Sequence, residues 1–145
     1  PTDFSPSSWK ILRRLALDLA DRKIPILIFH YRPKEDDKTL VQSSAWFGGV
    51  EKLRDYLLAE ELEKNKIGSQ WVSQLHGLGV ESELVFAHGN KSLAKAINEA
   101  SHKARVSMVV LPTFAGRWEQ VVFGSVAREV MRGSKVPTLV LKEES

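Results

Sequence analysis

Gly124 and Ser125 are the residues best placed to do chemistry, and that chemistry is the holding of an anion. They follow an apolar run from Val106 to Leu111 and precede a stretch in which Val122, Val126, Val130 and Met131 recur at helical spacing. A buried strand, a glycine-bearing turn and a helix entered through Gly-Ser place free backbone N–H groups at a strand's carboxyl end. Open α/β sheets bind ligands there, and the positive end of a helix dipole favours phosphate. Gly116 and Arg117 fall in the turn between strand and helix. A glycine lets a phosphate reach backbone amides with no Cβ in the way, and an arginine can bond phosphate directly. Against this, Pro112 stiffens the approach and Trp118 adds bulk beside Arg117.

Other chemistries find less support. Ser43 and Ser44 have no histidine near them in sequence, and there is no G-x-S-x-G elbow and no P-loop lysine motif. His30, His76, His88 and His102 lie far apart, without zinc-site spacing. His30, at the end of an apolar run, reads as packed or hydrogen-bonded. His88 reads as exposed in a turn, and His76 and His102 as helix-surface residues. Glu60, Glu61 and Glu63 read as a solvated helix face.

Composition sets the frame around these residues. A chain of 145 residues makes one domain with a proper core. With no cysteine, disulfides and thiolate chemistry are excluded, which suits a reducing cytoplasm. No apolar run approaches the ~20 residues that span a bilayer, and no signal-peptide pattern is visible. The net charge of +3 is spread among alternating acids and bases, so neither nucleic-acid binding nor membrane insertion is expected.

The elements that must position the site follow from patterning. Ser5 caps a helix with Pro6 in its first turn, and Trp9, Leu12, Leu15, Ala16 and Leu19 form its inner stripe. Ile24 to Tyr31 is nearly all apolar, as in a parallel strand covered on both faces. Thr39 to Val50 has no clear pattern, and Ala45-Trp-Phe-Gly-Gly49 reads as a loop tip, a packing plug or a contact site. A long helix runs from Val50 to about Leu78, with Gly68 a point of kinking or splitting. Trp9 and Trp71 read as core, and Trp46, Phe47 and Trp118 as candidate contact residues. Val80 to Phe86 is a strand near a sheet edge. Asn90 caps a helix whose inner residues are Leu93, Ile97, Ala100 and Ala104, and Pro137 to Leu141 is the last strand. The alternation predicts a doubly wound, mainly parallel five-stranded open sheet with helices on both faces. Such a sheet needs a central strand ahead of the first helix, so the strand is expected to lie before Pro1, truncated from the sequence.

Several stretches together resemble the universal stress protein family. Pro1-Thr-Asp-Phe-Ser5 resembles the end of that family's first strand, and Ser7 to Arg22 and Phe29-His-Tyr31 resemble its next two elements. Val85-Phe-Ala-His-Gly89 is similar to the strand and turn before the family's third helix. Gly124-Ser-Val-Ala-Arg-Glu-Val130 resembles its G-S-V-A-E-x-V helix start, and Val136 to Leu141 its final strand. The resemblance covers nearly the whole chain, residues 1–145 as one domain, and implies the fold of the adenine nucleotide alpha hydrolases.

It further implies a regulatory, stress-response module that binds an adenine nucleotide such as ATP. The implied site is Thr2, Asp3, Tyr31, Gly116, Arg117, Gly124, Ser125 and Val126, with Asp3 near the adenosine and Tyr31 bordering the adenine. The ATP-binding branch ends its fourth strand in two glycines, with nine residues between the second and Gly-Ser. Here Thr113 takes the first glycine's place, and seven residues separate Gly116 from Gly124. Counted back from Gly124 without a gap, both positions are lost, to Leu111 and Phe114. The alternative is therefore a member that binds no nucleotide and works through protein contacts or dimerisation, as part of a larger protein. The family also implies a homodimer through the final strand. Any ATP hydrolysis is expected to be slow, since no general base or metal carboxylate is evident. A nucleotidyl-transfer enzyme on a related fold ranks well behind, for want of a histidine-rich phosphate motif.

Overall fold

Ser5 starts the first helix as its residue type suggests. In the computed structural model, which describes residues 1–34, 36–113 and 124–142, its hydroxyl accepts from the Ser8 amide at 3.2 Å. Helix α1 (Pro6–Leu19) ends in a short 3-10 turn, and Lys23 then reverses the chain with φ 52°. The remaining order is β1 (Ile26–Pro33), α2 (Asp37–Phe47), α3 (Val50–Gly77), β2 (Ser82–Gly89), α4 (Leu93–Lys103), β3 (Val109–Thr113), α5 (Ser125–Gly133) and β4 (Thr138–Lys142). No described helix is long and apolar enough to cross a membrane.

The strands form two parallel pairs. Strand β1 pairs with β2 from Ile26↔Ser82 to Pro33↔Gly89, and β3 with β4 from Val109↔Thr138 to Thr113↔Lys142. The expected single five-stranded sheet is therefore not formed by the described residues. The physical reason lies between β1 and β3, where among the described residues only Thr2 pairs with the β1 edge, its amide donating to the Phe29 carbonyl at 2.8 Å.

Each β1 side chain goes to the face its parity dictates. Ile28, with Leu84 and Phe86 of β2, packs among Phe4, Ala16, Trp71 and Leu75 beneath α1 and α3. Phe29 and Tyr31, with Val85 and Ala87, pack among Ala94, Ile97, Val109, Leu111 and Val130 beneath α4 and α5. Helices thus cover both faces, which is why β1 reads as continuously apolar.

Several local expectations need correcting. The unpatterned stretch from Thr39 is mostly helix α2, capped by the Asp36 carboxylate on Thr39 N–H at 2.7 Å and closed by Gly48 at φ 79°. Gly68 does not split α3, which runs 28 residues unbroken. It is buried where β2 comes close, and a Cβ there would lie 2.5 Å from Leu84 Cδ2. Ser92, not Asn90, caps α4, its hydroxyl accepting from the Lys95 amide. Leu93, Ala104 and Met131 are exposed rather than inward, because α4 and α5 bury narrower stripes centred on Ile97 and Val130. Trp71 is buried and the Trp9 ring packs tilted against it with centroids 5.2 Å apart, as their helical spacing suggests.

Candidate functional site

The start of α5 is built by Gly124 and anchored by the residues that follow. Gly124 precedes the helix with φ −56° and ψ 159°, and among the described residues no side chain caps the helix start. Its carbonyl accepts the first helical bond, from Arg128 N–H at 3.1 Å. The amides at the head of such a helix have no partner inside it. Gly124 and Ser125 are exposed, while Val126 and Ala127 pack against the core that holds Phe29, Tyr31 and Val130. A Cβ at Gly124 would meet no described atom within 4 Å. Neither its φ nor its described neighbours require glycine here.

Thr2 and Asp3 lie between the β1 edge and α1, and no described contact or cavity joins them to Gly124 or Ser125. The Thr2 hydroxyl accepts from Phe4 N–H at 2.9 Å, and its carbonyl lies 2.8 Å from His30 Nδ1. Asp3 Oδ1 accepts from the Ser5 amide at 2.9 Å and the Ser8 hydroxyl at 2.7 Å. Partial burial pushes the Asp3 carboxyl up, but these hydrogen bonds from Ser5 and Ser8 outweigh it and hold the group below its ordinary value. Phe4 then takes φ 62°, a left-handed conformation that is rare for a bulky residue. The strain is held in place by ring contacts to His30 at 5.1 Å, Trp71 at 5.3 Å and Phe86 at 5.6 Å. Backbone strain of this kind collects at binding sites.

Tyr31 is placed differently. Its buried hydroxyl donates to the Lys91 carbonyl at 2.9 Å and accepts from the Lys91 amide at 3.0 Å. The side chain is thereby committed to the turn between β2 and α4. Gly116 and Arg117 lie outside the described residues, as do Phe114, Trp118 and Val122.

Sequence reading missed an ionic cluster at the carboxyl ends of β1 and β2. Glu61, taken as part of a solvated face, bonds Arg32 Nη1 at 3.1 Å and His88 Nε2 at 3.3 Å. Lys64 pairs with Glu60 at 2.8 Å and lowers that carboxyl's pKa. These residues and His30 line a cavity of about 230 Å³. Burial lowers the His30 pKa, against the hydrogen bond that His30 Nδ1 donates to the Thr2 carbonyl. No spacing in the sequence signalled it; the parallel register of β1 and β2 sets Arg32 beside His88. Among the described residues no group of His, Asp and Glu could hold a metal ion. A larger cavity of about 590 Å³ lies between β1 and β3, but Asp3, Tyr31, Gly124 and Ser125 do not line it.

Residues 1–142 match the family model described as the universal stress protein family. No curated protein matches the chain. A solved structure of a universal stress protein family member from Burkholderia pseudomallei is 14% identical with TM-score 0.67, covering 97% of this chain and 98% of that one. The universal stress protein from Archaeoglobus fulgidus in complex with dAMP is 19% identical with TM-score 0.62, covering 94% of this chain and 88% of that one. A universal stress protein in complex with cAMP is 17% identical with TM-score 0.61, covering 99% of this chain and 93% of that one.

Proposed function

The chain belongs to the universal stress protein family, and from that premise we propose that it is a regulatory binding module for an adenine nucleotide, ATP above all, acting in the cytoplasm. Gly124 carries the reading. It stands at the head of α5, exposed, with no side chain of its own between a ligand and the helix-start amides. The amides of Ser125 and Val126 with the Ser125 hydroxyl then hold phosphate at the head of α5. Asp3 and Thr2 face the nucleoside, Gly116 and Arg117 complete the phosphate turn, and Tyr31 contributes backbone rather than side chain. The complexes of two similar proteins with dAMP and cAMP support an adenine ligand.

The test is direct. Protein purified without added nucleotide is denatured, its extract run on an anion-exchange column, and the folded protein titrated with ATP by calorimetry. The wild type is expected to carry or bind nucleotide. Gly124→Val should weaken binding by at least about tenfold, as for one lost charge-assisted hydrogen bond, with an unchanged circular dichroism spectrum. Undiminished binding in that variant would refute the pocket.

A second reading has its own observation. Trp46 is 90% exposed on α2, where Val41 is exposed too, and Leu58 and Leu62 are exposed on α3. A module working through protein contacts would use such side chains, and absence of nucleotide in both assays would favour it.

A further inference from the structure

Helix α3 carries an apolar pair on a side that the fold does not use. Leu58 is 58% exposed and Leu62 71% exposed. At about 100° per residue they lie one turn apart, on the side opposite the buried Leu53 and Trp71. Exposed leucines alone are ordinary on a protein surface. The charges flanking this pair are what set it apart. Asp55 stands one turn before Leu58, and Lys66 one turn after Leu62. Both are exposed, and among the described residues neither has an ion pair. Glu51 lies four residues before Asp55, and like charges at that spacing weaken a helix. The helix dipole does not account for the pattern. Its effect fades within the end turns, and Asp55 and Lys66 both lie further in.

We propose that this face binds a second copy of the same chain, with the two α3 helices antiparallel about a two-fold axis. Charge complementarity selects that occupant. The midpoint of Leu58 and Leu62 is Glu60, and the midpoint of Asp55 and Lys66 falls between Glu60 and Glu61. One axis at that level sets Leu58 of each copy against Leu62 of the other, and Asp55 of each against Lys66 of the other. The same patch thus serves both copies, as a two-fold contact requires. Asp55 and Lys66 also lie on one flank of the leucine pair, by about 40° and about 60°. A two-fold axis across antiparallel helices brings like flanks together. Arg54 is on the other flank and does not meet Lys66. Glu60 and Glu61 face away, held by Lys64 and by Arg32 and His88. Parallel helices would instead set Asp55 against Asp55 and Lys66 against Lys66, which repel. From Asp55 to Lys66 the contact runs about 16 Å, well short of a standard interface. The pairing is therefore weak, and forms at high concentration or as a second contact between copies already joined. It depends neither on nucleotide nor on β4.

The chain has no cysteine, so single introduced cysteines report the contact. Leu58→Cys and Leu62→Cys proteins are oxidised separately and as a mixture, and disulfide-linked dimers are followed on a non-reducing gel. Because a disulfide needs Cβ atoms within about 4.5 Å, the mixture should link at least about tenfold faster than either protein alone. Asp55→Lys in both proteins, or Lys66→Asp in both, should slow that linkage about threefold or more. The two reversals together should restore it, since the pair is then re-formed with its signs exchanged. All these positions are exposed, and circular dichroism checks that each variant keeps the fold. Equal rates in the mixed and separate samples would overturn the proposal, and a face that serves a different protein or a lipid surface gives that result. Faster linkage within either single-cysteine protein, the sign of parallel helices, would overturn it too. So would a combined reversal that leaves the rate low.

Discussion

Asp3 holds two roles that its residue type alone could not separate. One carboxylate oxygen receives the Ser5 amide and the Ser8 hydroxyl, so the helix-start role is real. A carboxylate has a second oxygen, and the proposed nucleoside contact would fall to it. Asp3→Ala should cost about 0.5–2 kcal/mol, as lost helix-start caps do, read as a lowered Tm. The sign of its pH dependence follows from a folded pKa below 3.8. Asp3 stabilises the fold at pH above 3.8 and loses that contribution as pH falls through the lowered value. The wild type should therefore lose more Tm than Asp3→Ala on acidification from about pH 5 to about pH 2.5. Equal losses would remove the cap from the account. Tyr31 shows the limit of reading single residues. Its place at the end of β1 was legible, but its hydroxyl's partner sits 60 positions away, at Lys91.

Among the elements, α3 shows most plainly what patterning hides. A glycine inside a helix reads as a weak point because it lowers propensity. Gly68 instead marks where Leu84 of β2 and Phe4 come against the helix. Nothing in local sequence encodes that approach, because it depends on two elements meeting. Gly68→Ala should be nearly neutral, since the gain in propensity offsets a small shift of the Leu84 end. Gly68→Val should cost about 1–3 kcal/mol by overpacking, measured by urea unfolding. A neutral valine would show that the contact is slack. Helix α2 was missed for a related reason. Its exposed Val41, Trp46 and Phe47 give no clean apolar stripe, and only the Asp36 cap and the Gly48 turn mark its ends.

For the whole molecule, alternation of helix and strand was enough to place helices on both faces of parallel strands. It could not say how far the sheet closes. Strand β4 pairs only with β3 among the described residues and leaves an edge that natural sheets cover. We expect that edge to pair with a second copy. Leu139, 38% exposed on β4, is the residue to change. Leu139→Lys should convert a dimer to a monomer in light scattering, and an unchanged dimer would place the interface elsewhere.

Residue types and their spacing were sufficient for the α/β class, the parallel strands, the Ser5 start, the buried Trp71 and the Gly-Ser helix head. Each rests on periodicity or local hydrogen bonding, which a linear chain displays. Tertiary contacts were needed for the closeness of Gly68 to Leu84, the commitment of Tyr31 to Lys91, the joining of Arg32, Glu61 and His88, and the groove between β1 and β3. These depend on distances between segments far apart in the chain, and only packing sets such distances.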